Sequence, residues 1–74
     1  MQEKKFHTLI GKELQDLRKE KGLTQVQVAR ELNITSRALQ YIEAGTNNTT
    51  AELLILYAKA LDMKLSSILL KIGY

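Results

Sequence analysis

Apolar side chains recur at intervals of three and four residues along this chain, and proline is absent. Strands would need alternation at a spacing of two, and aromatic residues make up only 5% of the sequence. The pattern therefore favours an all-α fold. The 74 residues, 45% of them hydrophobic, suffice for one core, so we expect a single domain over residues 1–74.

Capping residues divide the pattern into five predicted helices. Gly22 ends the first helix, and Thr24 with Gln27 forms a capping box that begins the second. The fifth helix has a weakly marked start, where Ser66 is the candidate cap because Lys64 cannot accept a capping hydrogen bond. The predicted helices span residues 3–21, 25–32, 36–44 and 51–61, with a short fifth helix within 65–72.

Only three residues join the second and third helices, so the two must cross steeply. Asn33 tolerates the left-handed backbone of such a turn, and Ile34 is expected to point into the core. The exposed face of the third helix is then predicted to hold Ser36, Arg37, Gln40, Tyr41 and Ala44. Serine, arginine and glutamine near a helix N-terminus are the residue types that contact base edges in the DNA major groove. An ordinary solvated helix face would carry the same residues, so the pattern alone leaves both interpretations open.

The sequence offers little for catalysis, metals or membranes. His7 is the one histidine and has no acid beside it, cysteine is absent, and the glycines are too widely spaced for a phosphate-binding loop. We therefore expect no enzyme, no cofactor, no metal site and no small-molecule ligand. The longest uncharged stretches, such as 44–51, are far shorter than the roughly 20 apolar residues of a membrane span. A cytoplasmic protein is expected, and its net charge of +3 permits an anionic partner.

Several motifs occur together in a fixed order and resemble the Cro and phage-repressor (XRE-like) helix-turn-helix family. The resemblance covers about residues 9–70 and implies a lambda-repressor-like five-helix bundle with its helix-turn-helix at about 25–45. It also implies a homodimer that binds a palindromic operator on double-stranded DNA and regulates transcription, with RNA polymerase as a further candidate partner. The motifs are Gly22-Leu23-Thr24-Gln25, Asn33-Ile34-Thr35, Ile42-Glu43-Ala44-Gly45 and Ala58-Lys59-Ala60-Leu61.

The same resemblance assigns roles to individual residues. Base reading falls to Ser36, Arg37, Gln40 and Tyr41. Contacts with the DNA backbone fall to Gln25, Thr35, Asn47, Asn48 and Thr49, and Gln25 also braces the recognition helix. The loop departs from the family pattern, which often has basic residues and a proline here, and Asn33 and Asp62 stand where glycine is usual.

Within the family, the loop from Glu43 to Thr50 is similar to that of the controller proteins of restriction-modification systems. A compact Cro-like or lysogeny-type repressor fits the length equally well. A third hypothesis is an antitoxin-type protein-interaction module, in which DNA binding is secondary.

The C-terminal part of the chain has more apolar residues than one buried stripe requires. Leu53, Leu56 and Ala60 form a second stripe beside the predicted core stripe of the fourth helix. Ile72 and Tyr74 add apolar surface beyond it. We expect these five residues to form the dimer interface.

Arg18 and Glu43 both border apolar stripes, and neither has an oppositely charged residue three or four positions away on its own helix. An unpaired charge at such a place would be costly. The family resemblance pairs the two positions across the first and third helices. A partly buried structural ion pair is therefore expected.

Overall fold

The computed structural model describes residues 2–46 and 49–74, with side chains described from Lys5 onward. In that part of the chain it contains five α-helices and no strand. No helix among the described residues combines the length and the apolar character that crossing a membrane requires. The helices are α1 (Gln2–Glu20), α2 (Gln25–Leu32), α3 (Ser36–Ala44), α4 (Ala51–Ala60) and α5 (Leu65–Lys71). Their ends lie within one residue of those predicted from the sequence.

Threonine side chains begin three of the helices, as predicted. Thr24 accepts a hydrogen bond from the Gln27 backbone N–H at 3.1 Å, and the Gln27 side-chain oxygen accepts from the Thr24 backbone N–H at 2.8 Å. Thr35 caps α3 and Thr50 caps α4 in the same way. Each cap satisfies a backbone donor that the helix itself leaves unpaired.

The start of α5 differs from the prediction. Lys64 occupies the N-cap position without a capping side-chain hydrogen bond, and Ser66 lies inside the helix rather than at its cap. The helix begins at Leu65, which packs against the core one turn before the fully buried Ile68. Apolar packing therefore sets this boundary without a cap.

Left-handed residues produce the sharp turns after α2 and α4. Asn33 has φ 58° and Asp62 has φ 60°, the conformation predicted for both positions where the family has glycine. The Ile34 N–H donates to Ala29 O at 3.0 Å, and the Met63 N–H donates to Ala58 O at 2.9 Å. These bonds close each helix and turn the chain back over the core.

The helices pack around one apolar core, in which α1 contacts α3 and α5, α2 contacts α3 and α4, and α4 contacts α5. Two glycines let α1 and α3 approach closely. A Cβ on Gly11 would lie 2.4 Å from the carbonyl oxygen of Ile42, and one on Gly45 would lie 2.6 Å from Thr8 Cα. The core consists of Ile10, Leu14, Leu17, Val28, Ala29, Leu32, Leu39, Ile42, Leu54, Tyr57, Ala58, Leu61 and Ile68.

Candidate nucleic-acid interface

The recognition-type face of α3 points away from the core. Leu39 and Ile42 are buried on one side of this helix, whereas Arg37, Gln40 and Tyr41 are exposed on the other. Ser36, the first residue of the helix, is half-buried. The four side chains named for base reading thus lie along the outer side of one helix, with Ser36 the least accessible.

The residues named for backbone contacts are arranged around the ends of α2 and α3. Gln25 is half-buried at the start of α2, and Thr49 is half-buried before α4. Thr35 is exposed, and its hydroxyl oxygen accepts from the Ala38 N–H at 3.0 Å, a bond that does not use the hydroxyl's own hydrogen. Asn47 and Asn48 lie outside the described residues.

A bidentate ion pair holds the C-terminal end of α3 against α1. Arg18 Nε donates to Glu43 Oε2 at 2.7 Å, and Arg18 Nη2 donates to Glu43 Oε1 at 3.2 Å. The two side chains are only 7% and 2% exposed. Arg18 Nη1 also donates to the carbonyl oxygen of Leu23 at 2.9 Å, which ties the turn before α2 to the same pair. The structure therefore brings together the two charges that the sequence leaves without partners on their own helices.

Two further side chains complete the contacts of the Glu43 carboxylate. The hydroxyl of Tyr57, on α4, donates to Glu43 Oε2, and Gln25 Nε2, on α2, donates to Glu43 Oε1 at 3.0 Å. Within the described part of the chain, no buried side-chain nitrogen or oxygen lacks a partner. One carboxylate thus joins α1, α2, α3 and α4.

This environment shifts the pKa values of the buried groups. Burial acts to raise the pKa of Glu43, but hydrogen bonds from Arg18, Tyr57 and Gln25 lower it below the ordinary value of 4.5. The hydrogen bond to Glu43 raises the pKa of Arg18, and burial together with the bond to Glu43 raises that of Tyr57. Glu43 is consequently ionised at neutral pH, with Arg18 charged and Tyr57 neutral.

Sequence reasoning did not identify Tyr57 as part of this network, because the residue lies in an uninterrupted apolar run. One signal was available, since a tyrosine in a buried stripe must find a hydrogen-bond partner for its hydroxyl. Gly11 was likewise missed. Its role depends on how closely two helices approach, which the spacing of residues along one helix does not reveal.

The residues named for dimerisation differ in accessibility. Leu56 is 37% exposed and Tyr74 is 58% exposed, although the Tyr74 ring also makes an edge contact with Phe6 at a centroid distance of 5.0 Å. The other three, Leu53, Ala60 and Ile72, are half-buried and pack against the core. On α4 and α5, two more large apolar side chains are exposed that were not singled out from the sequence, Ile55 and Leu70.

Comparisons with known proteins agree with this architecture. A helix-turn-helix family model (HTH_3) matches residues 14–68. An uncharacterized HTH-type transcriptional regulator of Rickettsia conorii is 38% identical over 58 residues, which are 78% of this chain and 46% of that protein. The chain spans about half the length of the curated relatives it matches.

Solved structures have the same fold. The clp gene regulator ClgR from Corynebacterium glutamicum superposes with a TM-score of 0.85 at 24% identity, over 90% of this chain and 87% of that one. The restriction-modification controller protein C.AhdI from Aeromonas hydrophila superposes with a TM-score of 0.77 at 26% identity, over 82% of this chain and 92% of that one. Together with the family match, the five-helix architecture and the helix-turn-helix of α2 and α3 show that this chain belongs to the HTH_3 (XRE-like) family of helix-turn-helix transcriptional regulators.

Proposed function

We propose that this protein is a sequence-specific DNA-binding transcriptional regulator that acts as a homodimer on a palindromic operator. The observation that carries the proposal is the outer face of α3, where Arg37, Gln40 and Tyr41 are exposed on a helix that is fixed at both ends. Thr35 caps its start, and the Glu43 network anchors its last turn. Placing base-reading side chains on a rigid helix fixes their geometry before DNA is bound.

Each exposed side chain has a chemical role in this proposal. The guanidinium fork of Arg37 suits O6 and N7 of guanine, and the amide of Gln40 suits N6 and N7 of adenine. Tyr41 and Ser36 complete the reading face. Gln25, Thr35 and the loop of Asn47, Asn48 and Thr49 contact phosphates through uncharged donors, so binding should depend less steeply on salt than it would with lysine or arginine contacts.

Dimerisation would place two copies of α3 in successive major grooves, about 34 Å or one helical turn apart. We propose that the interface is built on α4 and the C-terminal region, from Leu53, Leu56, Ala60, Ile72 and Tyr74. The 37% exposure of Leu56 and the 58% exposure of Tyr74 support this placement. Burying this surface against a second copy would also stabilise a domain of only 74 residues.

The likeness to C.AhdI, at 26% identity over 92% of that chain, supports a regulator of the controller type. Such a regulator would bind an operator, with RNA polymerase as a further proposed partner. A lysogeny-type repressor remains the alternative with the same architecture, and the genes beside this one would separate the two.

Arg37→Ala tests the proposed reading face. Operator duplexes recovered by selection from random sequence are titrated with the wild-type protein and with two variants, Arg37→Ala and Arg30→Ala. Arg30 is the control for base reading because it is also an exposed arginine, but it lies in the last turn of α2, beside Thr35 and Ser36 and not on the outer face of α3. We expect Arg37→Ala to cost about 1 to 3 kcal/mol per half-site and to relax the preference at one base pair.

Arg30→Ala should leave the base preference of the wild type unchanged, and any loss of affinity should be equal on operator and on random DNA, because Arg30 does not lie on the reading face. Equal weakening of Arg37→Ala on operator and on random DNA would make Arg37 a phosphate contact. The complete absence of sequence preference in the wild-type protein would contradict the proposed function itself.

A further inference from the structure

An open depression of about 380 Å³ lies between the outer side of α2 and the start of α3, next to the proposed reading face. Its deepest lining residues are apolar, because Ala29 is buried and Ile34 is half-buried. An exposed apolar side chain, that of Val26, borders it at the start of α2. The residues that line the depression are Val26, Ala29, Arg30, Asn33, Ile34, Thr35 and Ser36.

Arg30 is the one charged residue among those that line this depression. Its side chain is exposed, and within the described part of the chain no ion pair or hydrogen bond involves its guanidinium. The adjacent Glu31 does not line the depression. A guanidinium that no carboxylate of its own chain neutralises can bind an anion from another molecule, and its planar fork matches the oxygens of a phosphate.

The order of the helices indicates which part of an operator the depression would face. α3 ends at Ala44, and the chain then continues into α4, which carries much of the proposed dimer interface. In a homodimer the C-terminal end of α3 would therefore face the centre of the operator, and its start would face the outer end of each half-site. The depression lies beside that start, so the DNA backbone just outside the half-site would pass next to it.

We propose that Arg30 binds a phosphate of the DNA backbone that flanks each half-site on its outer side. The apolar part of the depression receives the deoxyribose next to that phosphate. This contact adds a full positive charge to backbone contacts that are otherwise made by uncharged donors. Because every nucleotide carries a phosphate, the contact increases affinity without a preference for any base. The proposal rests on the proposed function.

The salt dependence of binding tests the proposal. Affinities of the wild type and Arg30→Ala are measured over a series of salt concentrations, on the selected operator extended at both ends by about one helical turn of DNA. Each phosphate that a charged side chain neutralises contributes about 0.9 to the slope of log affinity against log salt concentration. Arg30→Ala should therefore reduce the slope by about 2 for a dimer and weaken binding about tenfold per half-site at about 0.1 M salt.

Lys59→Ala is the matched control. Lys59 is also an exposed basic residue in the last turn of its helix, but it lines a different depression, with Asp62, Met63 and Lys64. Both variants lose one positive charge and its favourable interaction with a helix C-terminus. Lys59→Ala should keep the slope of the wild type, and Arg30→Lys, which retains the charge, should keep most of it. Equal reductions in Arg30→Ala and Lys59→Ala would attribute the effect to net charge and overturn the proposal.

Shortening the DNA tests where the contact lies. An operator trimmed to the outermost base pair of each half-site lacks the flanking phosphates, so the difference in slope between the wild type and Arg30→Ala should disappear. A difference that survives the trimming would overturn the proposal, because the contact would then lie inside the half-site. A relaxed preference at one base pair in Arg30→Ala would also overturn it, because Arg30 would then read a base.

Failure of the proposed function would give a different result. The wild-type protein would then bind all duplexes of equal length with the same affinity. Failure of the present proposal alone would leave the base preference of the wild type intact and remove only the difference between Arg30→Ala and Lys59→Ala.

Discussion

The recognition helix α3 and the C-terminal helix α5 are of similar length but are held in different ways. Thr35 caps α3, Gly45 ends it in a left-handed conformation, and Glu43 anchors its last turn in the buried network. α5 has no side-chain cap and one fully buried residue, Ile68, while Leu70 is 76% exposed. Specific polar and backbone contacts therefore fix α3. By contrast, α5 is held by apolar packing and leaves apolar side chains exposed to solvent.

The contact between α1 and α3 should be the most sensitive part of this arrangement. In Gly11→Ala the new methyl group would lie 2.4 and 2.7 Å from the backbone carbonyl oxygens of Ile42 and Glu43, so the two helices must separate. We expect a loss of about 4 kcal/mol in the free energy of unfolding, above the usual range for overpacking because backbone atoms cannot move aside. Urea denaturation measures this loss.

Gly22→Ala is the matched control. Unlike Gly11, which lies inside α1, Gly22 has a left-handed backbone, at φ 73°, and nothing lies within 4 Å of the position of its Cβ. Its cost should be limited to the conformational strain of about 1 to 2 kcal/mol. Equal losses for the two variants would show that close approach does not fix α3.

Removing one side of the buried ion pair should have the next largest effect. Arg18→Met leaves the Glu43 carboxylate buried with only Tyr57 and Gln25, and we expect a loss of about 3 kcal/mol. The double change Arg18→Met with Glu43→Leu should recover much of it, because no buried charge remains. A double-mutant cycle with a coupling energy near zero would contradict this account.

An ion pair of α5 provides the control for this experiment. Lys71 Nζ lies 3.1 Å from Glu13 Oε2, but the lysine side chain is 57% exposed. Lys71→Met should change stability much less than Arg18→Met, because exposed pairs are screened by water and salt. The contrast between the two substitutions measures how differently α3 and α5 are held.

Acidification should weaken the anchor of α3. The pKa of Glu43 is lower in the folded protein than its ordinary value of 4.5, so the unfolded chain takes up a proton there first. The stability that Glu43 contributes is therefore complete above that ordinary value and is lost as the pH falls through the lower folded pKa. Urea denaturation at a series of acidic pH values should show this loss in the wild type and a shallower one in Arg18→Met with Glu43→Leu. If stability depends on pH identically in the two proteins, Glu43 does not cause the loss of stability at acidic pH.

The N-terminal caps of α3 and α5 give the smallest expected difference in stability between the two helices. Thr35→Ala should cost about 1 kcal/mol, because the Ala38 N–H loses its acceptor, whereas Lys64→Ser should stabilise α5 by about 0.5 to 1 kcal/mol by supplying a cap that it lacks. Thermal unfolding of both variants shows whether each substitution lowers or raises stability. A loss of stability in Lys64→Ser would show that the start of α5 needs the lysine itself.

Features encoded by neighbouring residues could be predicted from the sequence. The caps at Thr24, Thr35 and Thr50 and the left-handed Asn33 and Asp62 depend on contacts within one helix end or turn, so residue type and spacing suffice. Ser66 was misassigned because the start of α5 depends on burial of Leu65 and Ile68 against other helices.

The candidate site likewise has features that the sequence predicts and features that it does not. The outer face of α3 follows from helical periodicity, but the role of Tyr57 depends on α4 meeting the end of α3, a contact between residues 14 positions apart. The hydrogen bond from Gln25 to Glu43 likewise joins residues 18 positions apart. Such contacts depend on how the whole chain packs, which the spacing of neighbouring residues does not predict.

Selection of binding sites from random DNA duplexes tests the central claim most directly. A homodimer that reads DNA with α3 should enrich two inverted half-sites whose centres lie about 10 base pairs apart, one turn of the double helix. We expect the Leu56→Glu variant to be a folded monomer. It should enrich the same half-site much more weakly than the wild type does. Enrichment of no sequence, or of one site without inverted symmetry by the wild-type protein, would contradict the account.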